Sequence, residues 1–385
     1  KPSSAASDVY KRQPNQPAVG PGHVPLMPRI LAVTGGVGGA KLASGLASVL
    51  DPSDLAFAVN TGDDFEHLGL KISPDIDSLT YALAGINNTE TGWGRKGESW
   101  NFLTALKELG GDTWFQLGDK DLALHLHRTN MLNKGKTLTE ATEAIATKLG
   151  IRHPIIPMSD QPVSTLVNTS DGELSFQSYF VKEKCEPEVN GFRFQGIEHA
   201  SLQEKLDQWI QDCQGIIICP SNPYVSVDPF LKLNGVKERL AEIPAIAVSP
   251  IIGGKALKGP AAKMMKELGI SSSAENVAEH YSAFIDGFVI DEADKESAKS
   301  IKIPTISTNT VMLTLSDSIS LAENCLGFLE RFLKTETFKK AAPTQSSKKR
   351  SLNRGTRCIF NRTSGGLHVG YRTHQNVRSS ETTPL

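Results

Sequence analysis

The stretch "ILAVTGGVGGAKLASGL", residues 30–46, decides the fold, because an apolar run leads into four glycines and helix-forming residues follow. A strand, a glycine turn and a helix in this order present free backbone N–H groups that can bind a phosphate. The turn matches neither common glycine motif: Leu42 replaces the hydroxyl of a P-loop, and Lys41 replaces the last glycine of a Rossmann motif. We predict a phosphate site, with a tight turn without ligand as the alternative. The predicted phosphate-binding residues are Gly35, Gly36, Gly38, Gly39 and Lys41.

Short β-branched runs alternate with amphipathic stretches along the chain. Strands are predicted at 29–34, 55–59, 215–219, 245–248, 286–290 and 303–306. Helices are predicted between several of them, at 38–50, 201–212, 226–242 and 259–269. This alternation predicts an α/β fold, a Rossmann-like, doubly wound and mainly parallel sheet with helices on both faces.

Two segments interrupt the alternation, and both ends of the chain differ from its body at 29–333. Residues 76–150 hold successive helical patterns without a convincing strand, which predicts an inserted helical lobe. Residues 154–196 alternate in the β manner around the turn "SDGE", which predicts a β-hairpin excursion. We expect residues 1–28 to be a disordered leader foreign to the fold, and residues 334–385 to be a basic, disordered tail.

Composition narrows the class of protein. The 385 residues are 39% hydrophobic and 22% charged, which is typical of a globular protein, and no apolar run could span a bilayer. Residues 29–333 carry 27 basic against 39 acidic side chains, which argues against a nucleic-acid groove. Five cysteines without a C-x-x-C pair and no visible secretory signal predict a reduced, cytoplasmic protein.

Acidic residues follow the second predicted strand, in "VNTGDDFEHLGLKISPDID". Five acids within 15 residues would repel a phosphate unless a hard cation lies between them, so we predict Mg²⁺ at this point. The alternative is that Asp75 or Asp77 caps the helix that begins near Ile76. We expect two of the five acids, Asp63, Asp64, Glu66, Asp75 and Asp77, to bind the metal and the others to cap helices or face solvent.

Further polar and aromatic residues come from loops. In "GWGRKGESW", Trp93 could stack on a planar heterocycle and Arg95 could reach its polar edge, while packing of the tryptophans is an equal alternative. His125 and His127 lack metal-binding spacing, and Arg128 is the better candidate for an anion contact. Strand-end loops at the predicted crevice carry the candidates Ser221, Asn222, Ser249, Gly253 and Gly254.

Eight motifs in order resemble the 2-phospho-L-lactate transferase family of deazaflavin coenzyme (F420) biosynthesis over about residues 29–333. They are "TGGVGGAK", "VNTGDD", "ISPDIDSLTYALAG", "GWGRKGESW", "LGDKDLALHLHRTNML", "PMSDQPVSTLV", "PSNP" and "VSPIIGG". The resemblance implies a Rossmann-like, dimeric, Mg²⁺-dependent enzyme. Its reaction joins a phospho-acid, delivered as a guanosine diphosphate-type conjugate, to the ribityl hydroxyl of the deazaflavin Fo and releases GMP.

The resemblance also assigns residues. Asp63 and Asp75 match the acidic metal and Fo-side positions and are the expected catalytic residues, and Trp93 and Arg95 match the Fo-binding loop. Asp77 and Arg128 are further expected substrate contacts. In the reaction that the resemblance implies, Mg²⁺ is held by Asp63 together with Asp64, Asp75 or Asp77, and the expected metal ligands are Asp63, Asp64 and Asp75. The nucleotide side is matched by Gly35–Gly39, Lys41, Asn60, Ser221, Asn222 and the Ser249–Gly254 turn.

Two other functions remain open from the residues alone. A non-catalytic regulator that binds a nucleotide sugar could use the same fold, although the Fo-side motifs weigh against it. An NAD-dependent oxidoreductase is disfavoured by Lys41 and Asn60 at its two diagnostic positions. The acid that is transferred is also open among phospholactate, phosphoenolpyruvate and a phosphoglycerate, since these differ by very few atoms.

Overall fold

A seven-stranded parallel sheet forms the centre of the protein, with the strand order β14-β13-β10-β9-β1-β2-β5. The computed structural model describes residues 28–256 and 259–340. The strands of this sheet are β1 (Ile30–Thr34), β2 (Leu55–Val59), β5 (Ile155–Pro157), β9 (Gly215–Ile218), β10 (Ala245–Val248), β13 (Gly287–Asp291) and β14 (Thr305–Thr308). The predicted α/β fold class is therefore confirmed.

Smaller sheets lie outside this centre. An antiparallel three-stranded sheet has the order β7-β6-β8, and two pairs, β3-β4 and β11-β12, are also antiparallel. Their strands are β3 (Phe65–His67), β4 (Leu70–Ile72), β6 (Ser164–Thr169), β7 (Gly172–Ser175), β8 (Val189–Gln195), β11 (Ile251–Ile252) and β12 (Lys255–Ala256).

Helices cover the sheet and connect its strands. The α-helices are α1 (Gly36–Val49), α2 (Pro74–Leu83), α3 (Asn101–Glu108), α4 (Asp119–Asn133), α5 (Leu138–Lys148), α6 (Glu204–Asp212), α7 (Asp228–Leu231), α8 (Val236–Leu240), α9 (Ala261–Glu267), α10 (Ala274–Tyr281) and α11 (Leu315–Lys340). Two π-helical turns span Ser178–Lys182 and Pro223–Val227, and a 3-10 helix spans Glu292–Lys299. None of the described helices is long and apolar enough to cross a bilayer.

Both faces of the central sheet are buried, which explains its continuous apolar runs. Along β1, Ile30 and Ala32 face one core cluster, whereas Leu31 and Val33 face the other. The first cluster packs under α1, α2 and α11, and Leu42 of α1 is fully buried in it. Cys185, Cys213, Cys219 and Cys325 are free thiols, and Cys358 lies outside the described residues.

Some predicted elements are wrong in extent. The helix predicted at 226–242 is broken into a π-helical turn, α7 and α8, because Pro229 lies at the start of α7 and Gly235 has a φ of 71°. The predicted hairpin excursion is a three-stranded sheet, and its first residues belong to β5 of the central sheet. Helix α2 is also part of the layer on the central sheet rather than of a separate lobe, since Ile76 and Leu79 are buried in the sheet's core.

The predicted disordered ends fall largely outside the described residues. Of the expected leader 1–28, only Pro28 is described. Of the expected tail 334–385, residues 334–340 continue helix α11, so the helix ends seven residues later than the predicted boundary.

Candidate functional site

Loops that follow five strands of the central sheet line one cavity of about 800 Å³. Ligands of open parallel sheets bind beyond the carboxyl ends of the strands, where the connecting loops can diverge. The loops after β1, β2, β9, β10 and β14 contribute Gly35–Gly38, Asp63, Pro220–Asn222, Ser249–Pro250, and Thr310 with Met312, respectively. The cavity continues to a second side, where Thr91–Gly94, Trp114–Gln116 and Asp121 line it.

The glycine turn is tied to its neighbours by its own N–H groups. Gly35 N–H donates to Ser221 Oγ at 3.2 Å, and Gly36 N–H donates to Asp75 Oδ1 at 2.6 Å. Gly36 also has a φ of 65°, which favours glycine. At least these two N–H groups are therefore used within the protein, and the predicted phosphate site depends on the later residues of the turn.

Close packing accounts for two of the glycines. A Cβ at Gly38 would lie 2.5 Å from the carbonyl oxygen of Pro220, and one at Gly39 would lie 2.3 Å from Thr34 Oγ1. Gly38 lines the cavity, whereas Gly39 is buried behind it. Lys41 lines the cavity as well, and its Nζ donates to the carbonyl oxygen of Met312 at 2.6 Å.

Buried carboxyl groups collect beside this turn. Asp63, Asp75 and Asp77 are each 5% exposed and line the cavity. Burial raises the pKa of the Asp63 carboxyl well above its usual range, and the nearby Asp75 raises it further. Burial also raises the pKa of Asp75 to about 6, although hydrogen bonds from Asn60 and Gly36 oppose this shift. The cluster thus holds negative charge that burial disfavours, and a bound cation would relieve it.

Two carboxylates of this region have an oxygen without a partner in the described structure; Asp63 lines the cavity, whereas the neighbouring Asp64 does not. Asp63 Oδ1 and Asp64 Oδ1 are buried without a hydrogen-bond partner among the described residues. Oxygens of this kind suit Mg²⁺, which binds one or two carboxylates and completes its shell with water and phosphate oxygens. No group of three or more His, Cys, Asp or Glu side chains arranged for a metal occurs in the described part of the chain.

The alternative role of Asp75 and Asp77 as helix caps is wrong. Ser73 stands at the cap position of α2, and its hydroxyl donates to Asp64 Oδ2 at 2.7 Å. Asp75 instead accepts from Gly36, and its other oxygen accepts from Asn60 Nδ2 at 2.9 Å. Asn60 therefore orients a carboxylate behind the glycine turn and does not itself line the cavity.

The position of Arg128 corrects the expectation that its side chain contacts an anionic substrate. Arg128 is 1% exposed, does not line the cavity, and forms a two-point ion pair with Asp77. The guanidinium is therefore the internal counter-ion of the acidic cluster. His125, which lines the cavity nearby, is neutral near pH 7 because burial lowers its pKa to about 4.

The tryptophan loop forms the second side of the cavity. Trp93 is 46% exposed and lines it between Gly92 and Gly94, which have φ values of 75° and 70°. Arg95 does not line the cavity, and its guanidinium carbon lies 5.7 Å from the ring centre of Tyr81. The second tryptophan of the motif, Trp100, is also outside the lining.

Sequence reasoning missed a pair of residues on this side. The Tyr81 hydroxyl donates to the Asp121 carboxylate, and both residues line the cavity. Burial raises the pKa of Asp121 to about 7, while the hydrogen bond from Tyr81 opposes the shift. Tyr81 follows Asp77 by four residues, so helical spacing from the acidic motif was the available signal.

Only some of the residues predicted to bind at the turn after β10 lie at the cavity. Ser249 lines the cavity, as do Ser221 and Asn222 from the neighbouring strand. Gly253 and Gly254 do not line it, since they form the tight turn between β11 and β12. Gly253 N–H donates to the carboxylate of Asp294 instead.

Comparisons with known proteins identify the family. The model of the family "2-phospho-L-lactate transferase CofD" matches residues 30–316. A 2-phospho-L-lactate transferase of Methanocaldococcus jannaschii is 40% identical over 78% of this chain and 97% of its own length. A phosphoenolpyruvate transferase of Kitasatospora aureofaciens is 36% identical over 77% of this chain and 95% of its own length.

A solved structure supports the fold. A UPF0052 family protein of Bacillus halodurans superposes with a TM-score of 0.52 at 16% identity, over 78% of this chain and 99% of its own. At this identity the likeness concerns the fold alone. The family match and the two transferases decide the class of the molecule: the chain is an enzyme of the transferase class and belongs to the 2-phospho-L-lactate transferase CofD family.

Proposed function

We propose that this enzyme acts in coenzyme F420 biosynthesis and transfers a phospho-acid from a guanosine diphosphate-type donor to the ribityl hydroxyl of Fo, with release of GMP. The observation that carries the proposal is one continuous cavity with the glycine turn on one side and Trp93 on the other. Buried acids line it close to the turn. Such a cavity can hold a diphosphate and a planar heterocycle at the same time.

The loops at the strand ends would bind the guanosine diphosphate-type donor. Val37 and Gly38 lie in the first turn of α1, where N–H groups and the positive end of the helix dipole favour an anion. Lys41 lies in the same helix and adds a positive charge on the lining. These groups would stabilise the charge that the GMP phosphate acquires as it leaves.

We propose that Mg²⁺ binds to Asp63 and Asp64, whose buried Oδ1 atoms lack partners among the described residues. When bound, the ion neutralises diphosphate oxygens and acts as a Lewis acid for in-line displacement. The protein's own part is to hold these carboxylates ready, and Ser73 does so for Asp64 through a hydrogen bond.

The transfer itself requires few covalent steps. The primary hydroxyl of Fo forms a new bond to the phosphorus that bears the acid, and the bond from that phosphorus to the GMP oxygen breaks. The hydroxyl proton passes to the carboxylate of Asp75, whose pKa is raised to about 6 by burial. Positioning of the two substrates contributes most of the rate in reactions of this kind.

A product analysis tests the proposal. The enzyme is incubated with Fo and the guanosine diphosphate conjugate of phospholactate, phosphoenolpyruvate or phosphoglycerate, with Mg²⁺ or with a chelator. We expect one GMP for each product molecule, a product mass equal to Fo plus one phospho-acid, and no turnover with the chelator. Tight nucleotide binding without GMP release from any conjugate would instead support the non-catalytic regulator.

The resemblance also leads us to propose a homodimer in the cytoplasm. Light scattering after size-exclusion chromatography measures the mass in solution directly. A mass near 41.6 kDa, that of one chain, would contradict the dimer.

A further inference from the structure

A third wall of the cavity comes from the chain between β7 and β8. It consists of Phe176, Gln177, Phe180, Val181 and Lys184, which we name the acid wall. The rings of Phe176 and Phe180 are stacked, with centres 5.5 Å apart and planes inclined by 5°. Phe180 keeps 38% of its surface exposed, so this apolar surface is available to a ligand.

The acid wall has an unusual and well-anchored backbone. It contains the π-helical turn Ser178–Lys182, and turns of this kind occur often at functional sites. Lys184 and Cys185 follow with φ values of 50° and 61°, which are uncommon for residues other than glycine. Tyr179 is fully buried behind the wall, and Lys263 Nζ lies 3.4 Å from its hydroxyl. The surrounding structure therefore holds Lys184 at the cavity in a conformation that the residue itself disfavours.

Two polar groups of the acid wall have no partner among the described residues. Gln177 is 5% exposed and lines the cavity, yet its amide makes no hydrogen bond within the described part of the chain. The Lys184 ammonium likewise makes no ion pair there. An amide that faces a cavity without a partner in the described structure can donate to a ligand there, and the exposed Lys184 ammonium can do the same.

The charges around the cavity favour an anion at Lys184. Among the described lining residues, Lys41 and Lys184 are the lysines and arginines, against four aspartates. Lys41 lies in the first turns of α1 beside the glycine turn, where the diphosphate is proposed to bind. Lys184 is therefore the cation for the other anionic group of the donor, which is the carboxylate of the acid.

We propose that Gln177 and Lys184 bind the carboxylate of the transferred phospho-acid, and that Phe180 and Val181 cover its small apolar substituent. The inference rests on the proposed function for the identity of the donor. The amide and the ammonium both donate to the carboxylate oxygens, which satisfies both groups. A methyl or methylene group fits against Phe180 and Val181, whereas the free hydroxyl group of a phosphoglycerate would lose its water there. The acid wall thus selects phospholactate or phosphoenolpyruvate.

Calorimetric titration of the full chain tests the inference without turnover. The probes are the guanosine diphosphate conjugates of the three acids and GDP itself, in the absence of Fo. We expect Lys184→Met and Gln177→Met to weaken binding of the phospholactate conjugate by about 10-fold while GDP affinity changes less than about twofold. Lys184→Arg retains the charge and should restore most of the affinity.

Matched controls and the donor panel complete the test. Lys182 is exposed in the same segment and does not line the cavity, so Lys182→Met should leave every affinity unchanged. The wild type should bind the phosphoglycerate conjugate about 10-fold more weakly than the other two. Equal loss of GDP and conjugate affinity in Lys184→Met, or wild-type binding of the conjugate no tighter than GDP, would overturn the inference.

The titration also separates this inference from the proposed reaction. If the wild type binds the conjugate through Gln177 and Lys184 but never transfers the acid to Fo, the proposed reaction fails and the role of the acid wall stands. If transfer takes place but neither substitution distinguishes the conjugate from GDP, the proposed reaction stands and the acid wall has no such role.

Discussion

The two opposite sides of the cavity are built in different ways. The glycine-turn side, Gly35–Gly38 with Pro220–Asn222, follows directly from buried parallel strands and is fixed by hydrogen bonds from its own backbone. The tryptophan side, Thr91–Gly94 with Trp114–Gln116, comes from loops, and Trp93 is 46% exposed. An added Cβ would lie only 2.6 Å from Asp75 at Gly35 and 2.5 Å from Pro220 at Gly38 on the first side, whereas at Gly94 on the second side the nearest atom would be 3.6 Å away.

This difference suggests that the two sides bind different parts of the substrates. A phosphate requires N–H groups and charges at fixed points, which strand ends provide at little entropic cost. A planar heterocycle is held mainly by area and stacking, which a mobile aromatic side chain can supply. Substitutions on the glycine-turn side should therefore reduce stability and nucleotide binding together, whereas those on the tryptophan side should affect acceptor binding alone.

The largest effect is expected at Asp63, which lines the cavity. Asp63→Asn should lower turnover by about 10²- to 10³-fold, because it removes a proposed ligand of Mg²⁺. The fold should remain intact, since burial and Asp75 already disfavour the charge on Asp63. Steady-state assays with Mg²⁺ and thermal unfolding measure the two outcomes. The exposed Asp51→Asn is the control, and near-wild-type activity of Asp63→Asn would exclude the proposed role.

Gly38→Ala tests how closely the glycine-turn side is packed. The new Cβ would lie 2.5 Å from the Pro220 carbonyl oxygen, so the backbone must shift, at a cost of about 1–3 kcal/mol of unfolding free energy. Nucleotide affinity should fall at the same time. Gly327→Ala in helix α11 is the matched control, since its Cβ would meet nothing within 4 Å. Urea unfolding that shows equal stability for both variants would contradict the comparison.

Trp93→Ala tests the tryptophan side. Loss of the indole surface should weaken Fo binding by about 3- to 10-fold, the usual worth of an aromatic pair, and leave GDP affinity unchanged. Fluorescence titration with Fo and with GDP gives both values. Trp100→Ala is the matched control, because Trp100 is 39% exposed in the same motif but does not line the cavity. An equal effect of both substitutions would place the heterocycle elsewhere.

The smallest effect concerns the pH dependence of stability through Asp121. Its pKa is about 7 in the folded protein, above the usual value of 3.8 for an aspartate. Between these two pH values the folded state therefore binds more protons than the unfolded state. The free energy of unfolding therefore falls as the pH rises toward 7. Tyr81→Phe removes a hydrogen bond that favours the ionised form, so the Asp121 pKa should rise and the decline should extend to higher pH.

Urea unfolding between pH 5 and about 8.5 measures this extension, which is at most about 1.4 kcal/mol per pH unit for one proton. Tyr281→Phe is the control, because the Tyr281 hydroxyl is buried without a partner among the described residues and is far from Asp121 in the chain. Identical profiles for the wild type and Tyr81→Phe would show that the hydroxyl does not affect the carboxyl.

Local patterns predicted part of the fold well. The strands at 55–59 and 245–248 match β2 and β10 to the residue, because fully buried parallel strands are short apolar runs. Strand β5 was missed because only three residues pair there, and three residues carry no periodicity. The prediction of one helix at 226–242 was wrong, because the apolar spacing continues past Pro229 and Gly235, which interrupt helices.

The candidate site, like the fold, was predicted only in part. Asp63, Asp75, Trp93 and Ser221 lie on the cavity as their motifs predicted. Arg128 does not, since a sequence cannot show that a guanidinium is already paired with Asp77 across two helices. The acid wall was also missed, because Gln177 and Lys184 belong to no motif and reach the cavity only through a π-helical turn and residues with positive φ.

The sequence by itself determined the fold class, the glycine turn, the acidic strand end and the family, since these depend on short-range patterns and on motifs in order. Only the tertiary structure decided which N–H groups of the turn are already bonded, which carboxylates keep open oxygens, and which cations face the cavity. The physical reason is that these properties depend on burial and on partners more than thirty residues away in the chain. Local sequence patterns predict neither of them.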